Sequence, residues 1–70
     1  MIIVTRNSEY KVTARGTDFL VEKITENKPN PNNINVGWQR RCTEVDIRIG
    51  YEARFDTIYT SEVLAVKEIL

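Results

Sequence analysis

Glu9-Tyr10-Lys11-Val12-Thr13-Ala14-Arg15-Gly16-Thr17-Asp18-Phe19-Leu20-Val21-Glu22 decides the fold class. Tyr10, Val12 and Ala14 alternate with Glu9, Lys11 and Thr13, the period of two that belongs to a strand with one face buried and one in water. Arg15-Gly16-Thr17-Asp18 supplies a tight turn, and the apolar run Phe19-Leu20-Val21 continues through Glu22 to Ile24 as the return strand. The stretch is a β-hairpin.

Outward from the hairpin, the rest of the chain has the same character. Residues 1–6 open with the β-branched Ile2, Ile3 and Val4, which lose side-chain freedom in a helix and pack well on a pleated sheet. Asn7-Ser8 breaks that run as a bulge or turn. On the far side, Val45, Ile47, Ile49 and Tyr51 alternate with Glu44, Asp46, Arg48 and Glu52, the cleanest alternation in the chain, and predict one strand with a core face and a water face. Phe55, Thr57 and Tyr59 continue the alternation against Arg54, Asp56 and Ile58 after a break near Gly50 or Glu52-Ala53. Residues 61–70 fit either a helix capped by Ser61 or a strand with Val63, Ala65 and Ile69 on one face; a terminal helix this short has little stability of its own, which favours the strand. The expected architecture is all-β, or β-rich with a short C-terminal helix: a five- to six-stranded barrel or a strongly twisted antiparallel sheet.

The chain has 70 residues, ten basic and ten acidic, and makes one small domain, 1–70, near the size where a single core is marginal. Residues 27–35, Asn-Lys-Pro-Asn-Pro-Asn-Asn-Ile-Asn, form its longest loop, too short to divide two domains; such loops often carry binding function, although a plain connector between halves of one sheet is the ordinary outcome. The charge balance holds in both halves, so a polyanion-binding tail is not expected. Met1-Ile2-Ile3-Val4 passes directly into Thr5-Arg6-Asn7, which fits neither an export signal nor a membrane span. A single cysteine, Cys42, fits a reducing, cytoplasmic compartment.

Chemistry is narrowed by what is missing. With no histidine, one cysteine and only isolated glycines, nucleophile–histidine pairs, a conventional zinc site and a phosphate loop are unavailable within one chain, and no cofactor is expected. Glu44, Asp46 and Glu52 fall on the water face of their expected strand, where acids ordinarily serve solubility. The chain is read as a non-enzyme. Binding is suggested instead by Gly37-Trp38-Gln39-Arg40-Arg41, since Trp and Arg are enriched at interface hot spots. Alternation puts Trp38 and Arg40 on one face and Gln39 and Arg41 on the other, so Arg40 could stack beside the indole while Arg48 or Arg54 approaches from a neighbouring strand. The alternative is that Trp38 is simply core and the arginines solubilise. Cys42 next to Arg41 could be activated, although a buried, inert thiol is the ordinary outcome. Tyr10, Tyr51 and Tyr59 could stack on a base but fit core and rim packing by their phase.

Thr5-Arg6-Asn7-Ser8-x-Tyr10 and Thr60-Ser61-x-Val63 resemble motifs in a loose group of small β-rich proteins of unknown function from bacteriophage and bacterial genomes. The resemblance covers about a dozen residues and implies a compact accessory protein without an established active site. The first and last strands of a small barrel commonly adjoin, and hydroxyl- and amide-rich strings at their ends would satisfy backbone groups at a bulge. Three functions follow as expectations. The first is a protein-interaction module, such as a phage-encoded inhibitor or regulator of a host protein, that engages its partner by an exposed strand edge or through the Trp38–Arg41 segment. The second is a nucleotide or single-stranded nucleic-acid binder on a small barrel surface, resting on Arg6, Arg40, Arg41, Arg48 and Arg54 with interspersed tyrosines. The third is a structural homo-oligomer.

Overall fold

The computed structural model describes residues 1–27 and 35–68. They form seven strands: β1 (Ile2–Thr5), β2 (Ser8–Arg15), β3 (Asp18–Glu26), β4 (Gln39–Cys42), β5 (Val45–Asp46), β6 (Glu52–Phe55) and β7 (Ile58–Lys67). The sheet order is β4-β3-β2-β1-β7-β6-β5, antiparallel throughout. The C-terminal ambiguity resolves as a strand as far as Lys67; Ile69 and Leu70, and nearly all of the Pro/Asn-rich loop, lie outside the described residues.

The hairpin of β2 and β3 forms as its alternation dictates, with Val12 opposite Val21 and Arg15 opposite Asp18. Its turn holds Gly16 at φ +63°, a value that glycine reaches without the steric cost of a Cβ. The hairpin of β6 and β7 turns through Asp56-Thr57, with Asp56 in the equivalent position at φ +55°.

Curvature follows from connectivity. In a flat sheet β4 and β5, at opposite ends of the order, would lie about 29 Å apart at the usual strand spacing. They are joined only by Thr43 and Glu44, a link that spans at most about 11 Å between Cys42 and Val45. The sheet therefore curls into a half-barrel. Counting alternations round the order, β4 and β5 run in the same direction. They are two parts of one bent chain run, the first paired with β3 and the second with β6. Taken as one, they make six staves, which reconciles seven strands with the five or six expected. Register shifts at Val4/Thr5, Glu9/Tyr10 and Glu52/Arg54 add the local twist that bending needs.

The concave face holds the core: Ile3, Tyr10, Val12, Val21, Cys42, Ala53, Phe55 and Val63, with Trp38, Phe19 and Val45 packed against it. Tyr10 meets Phe55 edge-on at 5.3 Å between ring centroids. Lys23 is also completely buried, its ammonium 2.7 Å from Glu26 Oε1.

The two motif strings adjoin as expected. β1 pairs with β7 across the bulge at Thr5, Asn7 N–H donates to Ser61 Oγ (3.0 Å), and Arg6 meets Glu62 at 3.2 Å. Thr5 Oγ1 accepts from Ser8 N–H and donates to Ser8 O.

The region 44–52 departs from expectation. Strand holds only at Val45–Asp46 until β6 begins at Glu52; between them the chain turns, Tyr51 N–H donating to Arg48 O (3.1 Å) around Gly50 at φ +95°. Gly50 N–H donates to Val63 O and Val63 N–H to Tyr51 O, laying this turn against β7. Ile49 and Tyr51 are thus 63% and 66% exposed rather than core. Alternation favours a strand but does not suffice for one, and it does not oppose a glycine placed where a turn requires positive φ. Likewise the turn at Asp56-Thr57 splits residues 54–59 between two strands, leaving Phe55 buried and Tyr59 exposed where one continuous face was expected. Of the three tyrosines only Tyr10 packs in the core.

Candidate functional site

The free side of β4 is the candidate site. Val36-Gly37 turns the chain into it, with Trp38 N–H donating to Asn35 O and Gly37 at φ +94°. Lys23 N–H then donates to Trp38 O (2.9 Å), so the backbone of Trp38 faces β3. Main-chain groups in an antiparallel ladder alternate between flanks. Arg40 and Cys42 therefore also address β3, whereas Gln39, Arg41 and Thr43 address the other side. Thr43 N–H there reaches Asp56 Oδ1 at 3.0 Å. Gln39 and Arg41 face no strand among the described residues.

Asp56 closes the corner at the end of this row. Its Oδ1 accepts from Thr43 N–H, Thr43 Oγ1 (3.3 Å) and Glu44 N–H (2.9 Å), while its own N–H donates to Glu44 O. The Glu44 N–H bond, then the Thr43 amide and hydroxyl bonds and the Arg40 charge, hold this carboxyl below its ordinary value of 3.8 against an opposing push from partial desolvation. Neither Asp56 nor Thr43 stood out in the sequence. The available signal was an Asp-Thr pair between Phe55 and the β-branched Ile58, a plausible two-residue turn.

The five expected site residues divide. Trp38, Arg40 and Arg41 sit together on and beside β4: Trp38 half-buried against the core, and the two arginines exposed on opposite faces. Arg41 Nε lies 3.7 Å from Asp18 Oδ2. Arg40 forms no salt bridge with a described carboxylate. Arg48 and Arg54 lie beyond the corner, each held by an acid: Arg48 Nη2 is 3.2 Å from Asp46 Oδ2, and Arg54 Nη1 is 3.1 Å from Glu44 Oε2 and donates to Asp56 O (2.8 Å). The cation–π pair among the described residues joins Arg48 to Tyr51, at 5.6 Å; the sequence had allowed Arg40 to stack beside Trp38.

Cys42 is fully buried, its Sγ 3.9 Å from Arg40 O. Burial first, and Asp56 second, push its thiol above 9.0 although Arg40 pulls the other way. Arg41 points to the opposite face and does not activate it.

No family model, curated protein or solved structure matches the chain. Among the described residues no helix is long and apolar enough to cross a membrane.

Proposed function

We propose that the chain is a protein-interaction module that takes an extended segment of its partner along the free flank of β4. One observation carries this reading: between half-buried Trp38 and the Asp56 cap on Thr43, the backbone of Gln39 and Arg41 faces no strand among the described residues. Strand addition on such an edge draws affinity from main-chain hydrogen bonds and selectivity from neighbouring side chains. Trp38, Arg40 and Arg41 are of the types that supply that selectivity. The module reading accords with a small accessory protein of the phage or bacterial kind that the two motif strings suggest.

The test separates backbone pairing from fold. Arg41→Pro removes an N–H that faces away from β3, at an edge where proline is tolerated, whereas Arg40→Pro removes one that faces β3. Native mass spectrometry of the gently purified wild-type protein should show a heteromeric mass, and the folded Arg41→Pro variant should lose it. A partner retained in full by that variant would sink the reading.

A nucleotide or single-stranded nucleic-acid reading has its own support in Tyr51 and Tyr59, both exposed, with Arg48 over the Tyr51 ring. It requires affinity for a short single strand that falls steeply with salt. The prior pairing of Arg48 and Arg54 with carboxylates makes it the weaker of the two.

A further inference from the structure

We infer that the segment taken up by β4 is an acidic extended stretch of a different protein, not a second copy of β4; this rests on the strand-addition reading above. Three observations converge. First, the flank carries two cations in sequence. The Arg41 side chain is 71% exposed, with Asp18 at a loose 3.7 Å, and Arg40, whose charge also reaches Asp56, forms no salt bridge with a described carboxylate. Second, the same flank already receives a carboxylate further along, where Asp56 Oδ1 accepts the Thr43 and Glu44 amides. That bond shows the outward amides of this flank open to an acceptor, which the main chain of an added strand supplies at Gln39 and Arg41 while its side chains meet the arginines. Third, self-pairing conflicts with charge. The antiparallel register that satisfies both free residues on each copy sets Gln39 opposite Arg41, and therefore Arg40 opposite Arg40. Like charges directly opposite each other in a sheet are destabilising.

The geometry also sets the pattern of the segment. Arg40 shares the face of Val21 and Cys42, whereas Arg41 shares the face of Leu20 and Asp18. A strand alternates its faces residue by residue, so two consecutive acids, one per face, meet the two arginines. β-Branched residues around them keep the segment extended.

The probe is a blocked peptide Val-Thr-Glu-Glu-Thr-Val, with Gln-Gln and Lys-Lys counterparts, titrated into the intact protein. Amide shifts at Gln39 and Arg41 and Trp38 fluorescence are the readouts. The acidic peptide should shift those two amides and bind about fivefold tighter than the Gln-Gln peptide at low salt, a margin that narrows as salt is added. The exposed double variant Arg40→Glu/Arg41→Glu should invert the order and prefer the Lys-Lys peptide. Equal binding of all three peptides at Gln39 and Arg41 would overturn the acidic class while leaving strand addition standing. Peptides that leave both amides unmoved at millimolar concentration would overturn both readings. A concentration-dependent homodimer that protects those amides would assign the flank to a second copy.

Discussion

Asp56 shows how much one residue can carry in a chain this small. It occupies a left-handed turn position that Asp tolerates better than most residues, and its carboxylate fastens the link between the first and second parts of the bent β4–β5 run. Because its folded pKa is depressed, the stabilisation it contributes is fully present above its unfolded value and is lost as pH falls through the folded one. Asp56→Asn keeps the turn and one acceptor oxygen but not the charge. In urea titrations that variant should be less stable than wild type at neutral pH, and the gap should close once the medium is acid enough to protonate Asp56. A gap that persists unchanged into strong acid would show that charge is not what Asp56 contributes. At the core, Phe55 is wholly buried and fills the space against Tyr10. Phe55→Ala should cost about 3–5 kcal/mol in the same assay, enough to leave much of a marginal domain unfolded.

At the scale of elements, β4 is the strand with a duty on each side. Its inward-facing amides belong to β3, and those of Gln39 and Arg41 face no strand among the described residues. In the free protein, amide exchange by NMR should therefore protect Arg40 and Cys42 and leave Gln39 and Arg41 fast. The opposite pattern would place the free flank on the wrong parity and remove the basis for strand addition. The hairpin of β2 and β3 was legible because alternation, a turn glycine and a β-branched return strand all agree locally. The run 44–52 misled because its alternation was just as regular. There the deciding partner was β7, which takes the Gly50–Tyr51 backbone and turns Ile49 and Tyr51 outward. The pairing of β1 with β7 was anticipated because the first and last strands of a small barrel commonly adjoin, and it puts Thr5, Asn7 and Ser61 to use on backbone groups at the bulge as their side chains suit.

For the whole molecule, sequence-distant pairing sets the kinetics. Residues 2–5 must find residues 63–67 before the half-barrel can close, and loop closure of that length precedes any reward from contact. Stopped-flow refolding followed by Trp38 fluorescence should fall in the millisecond-to-second range, not the microsecond range of local helical folds. Microsecond refolding would mean that the β1–β7 pairing is not part of the rate-limiting step.

An all-β chain, a hairpin over residues 9–24 that turns at 15–18, a cysteine whose ordinary reading is a buried thiol, and a Trp–Arg cluster as the feature most suggestive of binding are legible in the sequence. These rest on periodicity, turn chemistry and residue type, all of which act over a few neighbours. It is strand pairing that makes β4 and β5 one bent run, leaves Gln39 and Arg41 facing no strand among the described residues while Asp56 takes Thr43, and holds Arg48 and Arg54 elsewhere. Those outcomes depend on which strands become neighbours. That is fixed by how a single short sheet must curl to bury one face, and no window of local sequence contains it.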